Sequence, residues 1–153
     1  MKRLTSLVFL LVLCGMMTEV WAGPAEEVAE IALRRAQGFR EGNLDVFMAD
    51  WADKGVLTSA LAGFRFEGKE AVRAHFAALF EQYPQRQTVG RHAVSRAFAN
   101  DTVVVTNGYS DLTLVDRSGH VSRFRLRTSV IWVKLDRRWQ IVDQHNSVLP
   151  ASP

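Results

Sequence analysis

An α+β domain is predicted by the order in which two periodicities occur along the chain. Helical spacing of apolar residues fills the first half, as far as Pro84. From Gln87 onward the pattern changes to β-branched runs separated by short turns. Helices first and antiparallel hairpins afterwards is the order of an α+β fold, not of alternating βαβ units. With 153 residues, 48% of them hydrophobic, the chain is long enough for one domain with a core of its own.

The N-terminus is expected to be a leader and not part of that domain. Lys2-Arg3 precede an apolar run from Leu4 to Met17, and Val20 and Ala22 occupy the −3 and −1 positions of a cleavage site after Ala22. The run is short for a membrane span. A retained anchor, or a lipoprotein acylated at Cys14, are the alternatives, although Leu13 is large for the latter. The expected organisation is a signal peptide at 1–22, one domain at 23–150 and a tail at 151–153, in a periplasmic or secreted protein. Cleavage removes Cys14, the sole cysteine, so packing alone must stabilise the domain. It also leaves a nearly neutral chain, which gives no ground for nucleic-acid binding or for membrane binding beyond export.

Pro24 to Glu41 reads as the first helix. Val28, Ile31, Ala32, Arg35, Ala36 and Phe39 share one face, with a single charge interrupting it. Pro24 suits the first turn, and Gly42 is the stop. Asn43 caps a short second helix from Leu44 to Trp51, followed by a turn at Ala52–Gly55. Val56 to Phe66 is a strand broken near Ala62-Gly63. The third helix runs from Lys69 to Tyr83, with Val72, Phe76, Leu79 and Phe80 on one face, and Pro84 ends it.

Four strands follow, at Thr88–Phe98, Thr102–Val115, His120–Leu135 and Arg138–Ser147. The third is apolar on both parities: Phe124, Leu126, Val130 and Trp132 on one face, Ile131, Val133 and Leu135 on the other. A sheet apolar on both sides needs cover on both. The helices cover one side, so the other predicts a homodimer.

The last two strands hold the best functional clue. Strand side chains alternate faces, so Trp139, Ile141, Asp143 and His145 are expected on one face. An apolar strand that ends charged on the same face suggests a core opening into a pocket.

Three segments resemble a known superfamily. NLDVFMADWADKGVLTS is similar to the short second helix and first strand of SnoaL-like, or nuclear transport factor 2-like, domains. FEGKEAVRAHFAALFEQY is similar to their third helix, and RRWQIVDQHNSVLP to their ending, in which a Trp, an Ile-Val pair, a His, a Ser and a Leu-Pro recur. The subgroup it most resembles holds the SgcJ/EcaC-type proteins and the association domain of calcium/calmodulin-dependent protein kinase II. The resemblance runs from about Ala25 to Pro150. It implies a cone-shaped, cystatin-like α-β roll, with three N-terminal helices on a curved antiparallel sheet and a pocket at the open end. It also implies dimers, and a range from isomerases, dehydratases, cyclases and epoxide hydrolases to binding and assembly modules, so the fold does not fix the function. Asp143 and Gln144 stand where many relatives carry histidine, so only His145 carries over.

The candidate site is read accordingly. Arg127 matches the position of a cavity Arg in the kinase-association subgroup, and a buried Arg there needs Asp143 or a ligand carboxylate as partner. The alternative is that Arg123, Arg125 and Arg127 form a solvated stripe. His145 is the candidate acid/base, with Asp143 as base or as the partner of Arg127; both residues satisfying only one another is the alternative. Tyr109 and Asp111 share a face that lines the cavity or meets solvent. Trp51 and Phe47, on the second helix, are placed by the resemblance at the pocket mouth, with core packing the alternative for Phe47. His75, His92 and His120 have no metal-ligand spacing with His145, and no metal or nucleotide cofactor is expected. The expected function is binding of a small, partly apolar ligand, an anionic one among them. A cofactor-independent isomerase, dehydratase or hydrolase, and an oligomerisation or protein-docking module, are the alternatives.

Overall fold

The computed structural model describes residues 23–150. The signal peptide expected at residues 1–22 and the tail at 151–153 lie outside the described residues. Three helices and six strands follow in the order α1 (Pro24–Glu41), α2 (Leu44–Met48), β1 (Trp51–Thr58), β2 (Arg65–Glu67), α3 (Lys69–Gln82), β3 (Gln85–Phe98), β4 (Val103–Val115), β5 (Val121–Leu135) and β6 (Arg138–Val148). The strands form one curved, open sheet in the order β2-β1-β6-β5-β4-β3. All its pairs are antiparallel except β1 with β6, which run parallel. The α+β prediction holds, with that one parallel pair as the departure.

Local chemistry accounts for the helix ends. Pro24 opens α1, Glu26 and Glu27 occupy its first turn, Arg40 its last, and Gly42 ends it in a left-handed conformation. The Asn43 side chain accepts a hydrogen bond from the Val46 amide at 3.1 Å and starts α2. That helix ends at Met48, earlier than expected, and Trp51 opens β1 instead. The reason is tertiary: Trp51 pairs with Ile141, and the Ile141 amide donates to the Asp50 carbonyl at 2.7 Å. The turn expected at Ala52–Gly55 is an irregularity within β1, where pairing with β6 lapses between Trp51 and Val56. A Cβ on Gly55 would stand 2.9 Å from both the Ile141 carbonyl oxygen and the Trp51 ring, so glycine is required.

The core lies between the helices and the concave face of the sheet. Phe47 is its aromatic centre, edge-on to Phe76 at 4.6 Å and tilted to Phe39 at 5.4 Å between ring centroids. Leu57, Val72, Val104 and Ile141 around it are fully buried. Arg86, near the start of β3, is a buried cation with an evident structural duty. Its Nε donates to the Phe39 carbonyl at 2.7 Å, at the end of α1. Its Nη1 donates to the Tyr83 carbonyl at 2.7 Å, at the end of α3. Its guanidinium also sits 4.0 Å from the Phe80 ring centroid. One cation therefore ties the negative ends of two helix dipoles to the sheet.

Two strand irregularities shape what the sheet presents. In β3 the register shifts between Arg91 and Val94, where His92 has a φ of 47°. In β6 it shifts because Ile131 pairs with Asp143 while Trp132 pairs with Ile141, which leaves Val142 as the extra residue.

Candidate functional site

The concave face encloses a cavity of about 490 Å³ between α1 and strands β3 to β6. Its wall is mostly apolar, with Val28, Phe39, Phe76, Leu112, Leu126 and Val130 among the lining residues. Small residues face one another where α1 crosses the sheet: Ala29, Ala32 and Ala36 on the helix, Gly90, Ala93 and Gly108 on the strands. Neutral polar side chains line it on all four strands, Thr88 and Ser95 on β3, Ser110 on β4, Thr128 on β5, Gln144 and Asn146 on β6. Size and lining are those of a small-molecule site.

One charged side chain, Arg35, lines this cavity. It projects from the apolar face of α1 and is 7% exposed. Its Nε donates to the Phe47 carbonyl at 3.2 Å, and its Nη2 donates to Gln144 Oε1 at 3.4 Å. Three aromatic rings surround the guanidinium, with Cζ 4.8 Å from Phe47, 5.8 Å from Trp51 and 5.7 Å from Trp132. Among the described residues no carboxylate bonds to it. Asp50 would be the natural partner, but both Asp50 carboxylate oxygens accept from Arg34 Nη2, at 3.2 and 3.0 Å. Burial pushes the Arg35 guanidinium down to about 10, against the opposing charge of Asp50. Beside it, the indole Nε1 atoms of Trp51 and Trp132 are buried and have no hydrogen-bond partner.

The geometry rearranges the site expected from sequence. Trp139 and Ile141 point into the core, as anticipated. The extra residue Val142 then reverses the alternation. Gln144 and Asn146 consequently line the cavity, while Asp143 and His145 do not, and His145 is exposed. Arg127 is also exposed and outside the cavity, because its strand neighbours Leu126 and Thr128 take the inner face. The proposed pairing of Arg127 with Asp143 is absent: Arg127 sits opposite Ser147 and Asp143 opposite Ile131. Four residues of strand separate them, about 13 Å. Arg123, Arg125 and Arg127 form the exposed stripe that was the alternative. On that side Asp111 collects two arginines, Arg91 Nε at 2.8 Å and Arg125 Nε at 3.4 Å. Those bonds, led by the one from Arg91, hold the Asp111 carboxyl below its ordinary value.

Of the remaining candidates, Phe47 lines the cavity and also packs in the core. Tyr109 is among the lining residues although 43% exposed, and it stands opposite Arg91 where the β3 irregularity begins. Trp51 is fully buried and lies behind the wall, near Arg35. Sequence reasoning missed Arg35, Gln144 and Asn146 as site residues. The signal for Arg35 was present, as the one charge interrupting an apolar helix face.

A second, smaller cleft lies on another side of α1, lined by Glu27, Arg34, Asp50, Arg138 and Trp139 among others. Three of its charges are paired, Arg34 with Asp50 and Glu27 with Lys134. Glu27 accepts from the Trp139 indole and from Lys134, the latter at 3.1 Å, and these bonds hold its carboxyl below the ordinary value.

Comparison with solved structures returns the same architecture. A protein from Xanthomonas campestris described as a candidate calcium/calmodulin-dependent protein kinase II association domain is 24% identical, with a TM-score of 0.74 over 86% of this chain and 94% of the other. A nuclear transport factor 2-like superfamily protein from Salmonella enterica is 14% identical, with a TM-score of 0.75 over 85% of this chain and 94% of the other. A cystatin-like protein from Caulobacter vibrioides is 12% identical, with a TM-score of 0.72 over 84% and 92%. At these identities the likeness is one of fold. No curated protein matches the chain. The family described as SnoaL-like domain matches residues 28–152, which is nearly the whole of the described structure, and the chain belongs to that family.

Proposed function

We propose that this protein binds a small, mainly apolar molecule in the cavity under α1. The observation that carries the reading is a space of about 490 Å³ walled mainly by apolar side chains, with neutral polar side chains on β3 to β6 and one cation, Arg35, on α1. Binding fits the wall better than acid/base catalysis does. A proton-transfer site needs a carboxylate or imidazole within reach of the reacting atom. The residues lining the cavity include no Asp, Glu or His. The test uses a neutral apolar fluorophore, N-phenyl-1-naphthylamine, with wild type and Thr128→Phe, which fills the space from β5. Saturable binding by wild type, weakened at least tenfold (about 1.4 kcal/mol) in the variant, supports the reading. Equal binding by both, with the variant folded, rejects the cavity as the site.

The proposal includes pairing of two copies through the outer face of the sheet. Val103, Val105, Ile131 and Val133 lie together there, and each is incompletely buried by the chain itself. Phe98, opposite Val103, is 52% exposed. Native mass at micromolar concentration decides this, and a clean monomer removes it. Export belongs to the same reading on the strength of the charged-then-apolar order of residues 2–22. N-terminal sequencing of the protein recovered outside the cytoplasm checks cleavage after Ala22.

A further inference from the structure

Arg35 makes the cavity chemically asymmetric. A guanidinium carries five N–H donors. Here it finds one backbone carbonyl at 3.2 Å and one amide oxygen at a long 3.4 Å. The rings of Trp51 and Trp132 stand 5.8 and 5.7 Å from its Cζ, and both carry an indole N–H that is buried and without a partner. Donors thus outnumber acceptors here, and Asp50 acts on the cation only through space, because both its oxygens accept from Arg34. Each unmatched buried donor costs free energy, and an unpaired buried cation costs more. Arg86 shows the contrast within the same chain. It is equally buried, but backbone carbonyls at two helix ends accept from it, and it does not line the cavity.

We infer that Arg35 anchors the carboxylate of the cavity ligand, so that the ligand class is an apolar monocarboxylic acid held head-inward with its body along the apolar wall. This deepens the binding reading above and rests on it. A carboxylate presents two oxygens in the plane of the guanidinium fork, with lone pairs to spare for a neighbouring indole or amide N–H. Trp132, Gln144 and Asn146 line the cavity on the strands beside that position. The single cation argues for a single negative charge. A phosphate or a dicarboxylate would bring a second charge into an apolar cavity that offers no second cation among the described lining residues.

The test compares naphthalene-2-carboxylate with its neutral isostere, naphthalene-2-carboxamide, by calorimetry on the folded domain. Wild type is expected to prefer the carboxylate by about tenfold or more. Arg35→Met is expected to bring that ratio to about one while still taking up the amide, and Arg35→Lys to keep part of the preference, since it retains charge without the fork. A spectroscopic reading on the wild type does not depend on how the variants fold. The indole N–H resonance of Trp132, which lines the cavity, should shift further with the carboxylate than with the amide. Equal affinity for the two probes overturns the head-group inference and leaves the cavity reading standing, and so does a preference that survives in Arg35→Met. Refusal of both probes, and of N-phenyl-1-naphthylamine as well, removes the cavity reading and this inference together.

Discussion

Arg35 Nη2 donates to Gln144 Oε1 at 3.4 Å, a contact that joins α1 to β6 across the cavity and links side chains 109 residues apart in sequence. The bond is long and its acceptor is neutral, so it satisfies the cation weakly. Replacing that neutral oxygen by a charged one should complete the site from within.

Gln144→Glu is therefore expected to act as a built-in carboxylate. The preference for naphthalene-2-carboxylate over the amide should disappear, because the incoming anion would meet an already neutralised guanidinium and a like charge. Thermal stability at neutral pH should hold or rise. Calorimetry and a melting curve check both, and an undiminished carboxylate preference in this variant would contradict the arrangement.

The two buried arginines should respond unequally to the same substitution. Arg86→Met removes two charge-assisted bonds of 2.7 Å to the carbonyls that end α1 and α3. It should cost about 3 kcal/mol or more. Arg35→Met removes a poorly matched cation from an apolar site, and replacing such a group by an apolar one is often neutral or stabilising. It should change stability by no more than about 1 kcal/mol, in either direction. Urea unfolding of the two variants side by side measures the difference.

Outside the cavity, Arg127→Met and His145→Ala should leave ligand affinity unchanged. Both side chains are exposed and neither lines the cavity. A loss of affinity in either variant, with the native mass preserved, would bring the outer face back into the site. A change in native mass with unchanged affinity would connect that face to pairing of two copies.

Acid should weaken the fold in two stages. Burial holds His75 below its ordinary 6.5, with Nε2 unpartnered and the ring stacked on Phe66 at 4.3 Å. A depressed pKa in the folded state gives stability that is present above the unfolded value and is lost as pH falls through the folded one. The first stage therefore begins below 6.5. Glu27 follows the same sign: its bonds from Trp139 and then Lys134 contribute fully above 4.5 and are lost below it. His75→Phe should remove the first stage and Glu27→Gln part of the second. Urea midpoints at about pH 8, 5.5 and 4 resolve them. Because the Glu27 side chain is 37% exposed, its share should be the smaller and should fall with added salt.

The fold was legible because it rests on long periodic segments. All three helices and the four long strands were anticipated within a few residues. The errors fell where pairing outweighs local preference. Trp51 reads as the end of an apolar helix face, yet its partner Ile141 draws it into a strand. The site was less legible, for one physical reason. Strict alternation assigned Asp143 and His145 to the inner face, and a single unpaired residue, Val142, moved Gln144 and Asn146 there instead. Nothing in Ile141-Val142 marks that position, because both residues suit a regular strand. Arg35 was visible as a charge on an apolar helix face, but only the structure separates a cavity anchor from a surface arginine folding back over the core.

The irregularity at Val142 also limits how roles can be carried between members of the family. It works like a frameshift in three dimensions. Upstream of it the odd-numbered side chains of β6 face the interior, and downstream the even-numbered ones do. A relative with a strand of the same length but no irregularity would exchange interior and exterior residues downstream of Ile141 without any change of residue type. Matching columns of sequence would then equate a cavity wall with the outer face of the sheet. Roles on this strand transfer safely only when counted from the irregularity outward, and the same count tells a designer which single insertion would swap a neutral amide pair for an acid and an imidazole inside the cavity.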